Sequence, residues 1–191
     1  MRCMLCERLS FSHICPSCQT TFLTPILHKR KILGSIEVLS FFPYHEIEPL
    51  LLTKHTDIGY YIYTILAQRA FSTFAAQWTY EGDIASIGID DHSSGGYSHT
   101  AILNRALKSS RITPHYGKLR AANTYKYAGK SVEERLMNPR GFTYLPFDHK
   151  EVILVDDIVT TGTTLSEAAE ILHAEGKKVL FCLTLTDAEN R

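Results

Sequence analysis

The stretch Val152-Ile-Leu-Val-Asp-Asp-Ile-Val-Thr-Thr-Gly-Thr-Thr-Leu165 constrains this chain more than any other. Val152 to Val155 is an apolar, β-branched run of the kind a buried parallel strand shows. It ends in two adjacent carboxylates, Asp156 and Asp157, followed by a turn of small hydroxyl residues around one glycine: Thr160, Thr161, Gly162, Thr163 and Thr164. A helical period then runs from Leu165 to Leu172. The pattern predicts strand, loop and helix, with a polar site where the strand ends, which is where open α/β sheets place their ligands. Gly162 lets backbone approach a ligand, and hydroxyls and amides at a helix N-terminus favour a phosphate. The carboxylates repel that phosphate and suit sugar hydroxyls or a divalent cation. An ordinary capping turn needs one such residue, not two acids and four threonines.

Those residues resemble the phosphoribosyl pyrophosphate motif of the type I phosphoribosyltransferases: apolar strand, acid pair, then T-T-G-x-T. The resemblance implies that Asp156 and Asp157 hold the ribose hydroxyls, that Thr160 to Thr164 cradle the 5′-phosphate, and that Mg²⁺ accompanies the pyrophosphate. Purine-salvage members carry an acidic residue where this chain has Thr160, so purine salvage is disfavoured. The implied fold class is α/β, a Rossmann-like, mainly parallel sheet with helices on both faces.

A chain of 191 residues accommodates one α/β domain and a small module. Its apolar fraction of 45% is that of a globular protein, and its formal net charge is zero, so affinity for nucleic acid needs local charge segregation. The opening Met1-Arg2-Cys3 shows no signal peptide, and the longest apolar segment, Ile58 to Trp78, carries Gln68, Arg69 and Gln77. A cytoplasmic protein without membrane insertion is expected.

Four of the five cysteines fall in Cys3-x-x-Cys6 and Cys15-x-x-Cys18. Two such knuckles present four thiolates to one tetrahedral metal ion, and in a reducing setting a metal is favoured over disulfides. Structural zinc is the default, iron the runner-up, and His13 an alternative ligand. Residues 1–25 thus form a zinc-finger module too poor in apolar residues to fold without metal. Residues 26–191 form the second domain. Cys182, in the apolar run Val179 to Leu185, reads as a buried strand residue.

In the middle of the chain, His28-Lys-Arg-Lys31 reads as a solvated linker, with a phosphate-backbone contact as the sharper alternative. Ile36 to Phe42 is a predicted strand ended by Pro43. Glu46 to Lys54 is a predicted short helix and Asp57 to Trp78 a long one forming one flank, its aromatics serving core and interface. Ile84 to Ile89 is a further strand, leading through Asp90-Asp91-His-Ser-Ser-Gly-Gly-Tyr97 into a helix over Ser98 to Lys108.

With Lys54 after an apolar helix, the turn Gly95-Gly-Tyr-Ser-His99, the element Glu134-Arg-Leu-Met-Asn138, the cysteine finger and the acid pair, the chain resembles the ComF family of competence proteins. That resemblance implies a role in DNA uptake and natural transformation, with other competence proteins as partners. Family members usually carry arginines in the loop where pyrophosphate would sit. This chain has Gly88-Ile-Asp-Asp91 and no arginine before Arg105, and two carboxylates there repel pyrophosphate unless a metal lies between.

From His92 to Val132 there is no acidic residue, while Arg105, Lys108, Arg111, Lys118, Arg120, Lys126 and Lys130 interleave with Tyr97, Tyr116, Tyr125 and Tyr127. Cations alternating with rings suit single-stranded DNA; neutralising a pyrophosphate or lining a solvated face are the other readings. The candidate nucleic-acid residues are Lys118, Arg120, Lys126, Lys130, Tyr125 and Tyr127. Lys126-Tyr-Ala-Gly-Lys130 also suits a lid, and Ser131-Val-Glu-Glu134 a capping box opening a helix stopped by Pro139. Two functions follow: a cytoplasmic competence protein that handles incoming single-stranded DNA and carries a phosphoribosyl pyrophosphate pocket, or an active Mg²⁺-dependent phosphoribosyltransferase with an unidentified acceptor.

Overall fold

The computed structural model describes residues 1–32, 35–89, 96–122 and 141–189. Six strands form the main sheet in the order β1-β2-β8-β7-β3-β4. β2 (Ile36–Pro43), β8 (Lys178–Asp187), β7 (Glu151–Val159), β3 (Ile84–Gly88) and β4 (Ile112–His115) are parallel neighbours. β1 (His28–Ile32) is the antiparallel edge, paired residue for residue with β2. A two-stranded antiparallel ribbon, β5 (Leu119–Ala121) with β6 (Phe142–Tyr144), lies apart from it. The expected mainly parallel sheet is therefore present.

The solvated-linker reading of His28 to Lys31 is corrected by β1. Those residues alternate between half-buried and exposed and close with the buried Ile32, so they belong to the sheet. Three cations in five residues disguise the alternation, because Lys and Arg lay their stems along apolar surface while keeping the charge in water.

Helices cover both faces. α1 (Pro16–Phe22) lies in the finger. α2 (Tyr44–Leu51) runs into a 3₁₀ turn, Leu52–His55. The predicted long helix is α3 (Asp57–Ala67), a π-turn (Gln68–Ser72) and α4 (Thr73–Gln77) in unbroken succession, capped by the Thr56 hydroxyl accepting from the Gly59 N–H at 3.2 Å. It buries Tyr63, Leu66 and Phe71 with Phe41, Val155 and Leu183, on the face shared with α5 (His99–Ala106). α6 (Thr163–Ala174) packs Leu165, Ala168 and Leu172 on Val152, Leu154 and Cys182 of the opposite face. Among the described residues no helix is long and apolar enough to cross a membrane.

The connectivity creates the site. From β3 the chain crosses by α5 to β4, outward on one side; from β7 it crosses by α6 to β8, outward on the other. Right-handed crossovers in opposite directions put α5 and α6 on opposite faces. The carboxyl ends of β3 and β7 are thus a topological switch point, where neighbouring loops diverge and leave a crevice. Asp156 and Asp157 stand there.

Candidate functional site

β7 continues past the apolar run through both acids to Val159. Successive side chains on a strand point to opposite faces, so the two acids part company. Asp157 follows Ile153 and Val155 toward α3 and α5. It is 5% exposed, and one oxygen meets the Tyr63 hydroxyl at 3.1 Å, the Lys54 ammonium at 3.2 Å and His99 Nε2 at 3.6 Å. Its other oxygen accepts from the Ile158 N–H at 3.0 Å. Burial pushes the Asp157 carboxyl up, but His99 and Lys54 more than offset that and hold it at about 2. Burial and the same carboxylate push the Tyr63 hydroxyl up, which keeps it a proton donor. Asp156 follows Val152 and Leu154 toward the α6 face, is half-buried, and accepts from the Asp157 N–H at 2.8 Å.

The threonine loop is held from two directions. Gly162 has φ +80°, and a Cβ there would come within 2.6 Å of Ile32 Cγ2, so the loop leans on the end of β1. The Arg30 guanidinium, also from β1, donates to the Thr160 carbonyl and to the buried Asp187 carboxylate. Thr161 and Thr163 share a hydroxyl contact at 2.7 Å, and the Gly162 carbonyl accepts from Ser166 N–H at 2.9 Å to open α6. Thr164 sits in the first turn of α6. First-turn amides have no intrahelical partner, so this end offers N–H groups and hydroxyls to an anion, one residue run away from the acids. The arrangement can hold a phosphate at one end and polar hydroxyls at the other.

Tyr63, His99 and Asp187 escaped the sequence reading, and Arg30 entered it only as part of the basic cluster His28 to Lys31. A tyrosine inside a helical apolar stripe looks like core, and His99 looked like a turn residue. Their common target, Asp157 or the loop, is brought to them only by the sheet. The alternation ending at Ile32 was the one signal pointing to Arg30.

In the finger, the sulfurs of Cys3, Cys6, Cys15 and Cys18 lie within 4.8 Å of one another. Cys6 and Cys15 are 3.7 Å apart, close to the ~3.8 Å edge of a tetrahedron with Zn–S bonds of about 2.3 Å. Burial pushes the Cys3 thiol up, but the N–H groups of Cys15, Cys6 and Leu5 more than offset it and bring it down to about 6. Burial and the other three sulfurs push Cys18 up to about 12. Four sulfurs this close cannot all ionise without a cation among them, so the donor set fits zinc. His13 instead packs its ring against Tyr61 in a tilted arrangement, the centroids 4.9 Å apart.

Of the other candidates, Lys118 donates to the Pro146 carbonyl at 2.7 Å and Arg120 is exposed on β5. Lys126, Lys130, Tyr125 and Tyr127 lie outside the described residues, as do the loop Asp90 to Gly95, the lid and capping-box segments, and Arg135 and Asn138.

The chain carries an acid pair and a threonine loop at the switch point of a mainly parallel sheet, and its residues 124–191 match the family described as phosphoribosyl transferase domain. More particularly, the chain is 31% identical over 88 residues to competence protein F of Haemophilus influenzae, covering 42% of this chain and 38% of that protein. It is also 45% identical over 40 residues to orotate phosphoribosyltransferase of Sulfurisphaera tokodaii, covering 21% and 20%. These matches thus span less than half the length of the curated relatives. Among solved structures, the chain superposes on orotate phosphoribosyltransferase from Aeropyrum pernix with TM-score 0.41, 18% identity and coverage of 90% and 80%. A hypoxanthine phosphoribosyltransferase from Staphylococcus aureus gives 0.42, 16% and coverage of 68% and 65%.

Proposed function

We propose that this chain is a cytoplasmic competence protein of natural transformation that handles incoming single-stranded DNA and carries a phosphoribosyl pyrophosphate pocket, with other competence proteins as partners. The observation that carries the pocket is the meeting of Asp156, Asp157 and the loop Thr160 to Thr164 at the β3–β7 switch point. The amides and hydroxyls of the loop take the 5′-phosphate. Asp156, half-buried beside it, takes ribose hydroxyls or a divalent cation brought with the pyrophosphate. Asp157 holds Lys54 and His99 at the strand end, where the Lys54 ammonium suits the pyrophosphate. Similarity to competence protein F supports the cellular role, and the basic, aromatic span supports DNA as the cargo.

The test is calorimetric titration of phosphoribosyl pyrophosphate with Mg²⁺ into the wild type and Asp156→Asn. Binding in the wild type that drops at least tenfold in the variant is expected. No heat from either sinks the pocket. DNA handling is tested separately by the salt dependence of affinity for a labelled oligothymidylate. A steep slope that flattens when Lys118, Arg120 and Lys126 become Gln is expected, and wild-type binding indifferent to salt contradicts it.

The match to the phosphoribosyl transferase domain favours a second reading, an active Mg²⁺-dependent transferase. Its signature is pyrophosphate release dependent on an added nucleophile.

A further inference from the structure

A groove of about 490 Å³ lies between α3 with its π-turn and α5, and the strand-end site does not use it. It exists because Ala67, Ala101 and Ala106 line it where larger residues would fill the space between the helices. One wall is aromatic. Tyr60 and Tyr97 meet edge to face at 5.9 Å, and Tyr97 is fixed there by donating its hydroxyl to the Lys54 carbonyl at 2.7 Å. Tyr116 is 52% exposed and stacks on no ring among the described residues. Two cations, Arg105 and Lys108, line the groove as well. Among the described residues, Arg105 and Lys108 make no ion pair and no carboxylate lines the groove. The π-turn forms the remaining wall, with the Ser72 hydroxyl donating to the Ala106 carbonyl at 3.2 Å. An extra residue in a helix turn is costly and is frequently found at functional sites.

Three tyrosine rings and two cations lining one groove match a ligand that has a flat aromatic part and an anionic part. The volume is that of a small-molecule site. We propose that the groove is a nucleotide site, with a base against Tyr60, Tyr97 and Tyr116 and its phosphate held by Arg105 and Lys108. A free nucleotide and one unit of a single strand present the same chemistry. The strand is the source only if the DNA-handling reading above is right.

The experiment uses the zinc-loaded full chain and two probes, dTMP and a short labelled oligothymidylate, measured by anisotropy and competition. The variants are Arg105→Gln/Lys108→Gln and Tyr116→Ala, with Asp156→Asn reporting on the strand-end pocket. The expected result is binding of both probes, weakened about tenfold or more by each groove variant. Binding of dTMP but not of the strand, with the same losses, keeps the groove as a mononucleotide site and removes the DNA-handling reading. Strand binding untouched by the groove variants overturns the groove and leaves DNA handling standing, and loss only in Asp156→Asn assigns the nucleotide to the strand-end pocket. Binding of neither probe overturns both.

Discussion

Asp157 gathers two donors, Tyr63 and Lys54, on one carboxylate oxygen at the end of β7, with His99 Nε2 3.6 Å away, and that concentration of partners sets its acid behaviour. A folded value of about 2 lies below the ordinary 3.8, so the unfolded chain binds this proton more readily than the folded one. The group therefore adds stability above about pH 4, on the order of 2 kcal/mol, and that stability drains as pH falls toward the folded value. Replacing Asp157 by Asn removes the dependence. Urea unfolding is expected to show a gap between wild type and Asp157→Asn that is wide at neutral pH and closes between about pH 4 and pH 2. A gap of constant width over that range would put the acid sensitivity elsewhere. None of these partners could be read in advance. Lys54 stands 103 positions from Asp157 and Tyr63 stands 94 away. No local pattern links residues so far apart.

At the scale of the element, the threonine loop depends on a strand the sequence concealed. Gly162 needs its positive φ, and it also needs the space that Ile32 leaves. Gly162→Ala meets both obstacles and is expected to cost about 1–3 kcal/mol in thermal or urea unfolding. It should also weaken phosphoribosyl pyrophosphate binding, because the loop must move off Ile32. A variant with wild-type stability and affinity would mean that the loop is not pressed on β1. Arg30→Met tests the same support with the backbone unstrained. It is expected to lower both ligand affinity and the melting temperature, since it loosens the Thr160 carbonyl and leaves the buried Asp187 carboxylate without its guanidinium partner. The long helix shows the limit of periodicity from the other direction. Its span was legible from the apolar stripe, but one inserted residue in a turn does not disturb that stripe, so the π-turn at Gln68–Ser72 was not.

Across the whole molecule, the finger shares its core with the sheet. Cys3, Ile14, Cys18 and Leu23 belong to the same buried cluster as Phe41, Tyr63 and Phe71, and Arg69 donates to the Leu23 carbonyl at 3.2 Å. The Ile26 N–H donates to Phe41 on β2 at 2.8 Å, so the chain enters the sheet without a loose connection. Stripping the metal should therefore weaken more than the finger. With a strong chelator, the thermal transition of the full chain is expected to shift downward as a single cooperative step, with about one zinc released per chain. Two separate transitions, with the upper one unmoved by chelation, would show that the two cores are independent. Cys15→Ser, which removes a candidate ligand while leaving a hydroxyl able to cap α1, should behave as the chelated wild type does.

What the sequence determined by itself was what short range decides. Cysteine spacing set the four-sulfur cluster, because two cysteines three residues apart can turn toward one ion. The apolar run, acid pair and glycine turn set strand, site and helix, because strand and helix periods and left-handed backbone are properties of a few neighbouring residues. What only the tertiary structure decided was which charges meet. β-strand alternation divided the acid pair between two faces, parallel crossovers carried Lys54, Tyr63 and His99 to one of them, and the edge strand delivered Arg30 to the loop. Electrostatic roles belong to distance in space, and in a parallel sheet that distance is set by topology.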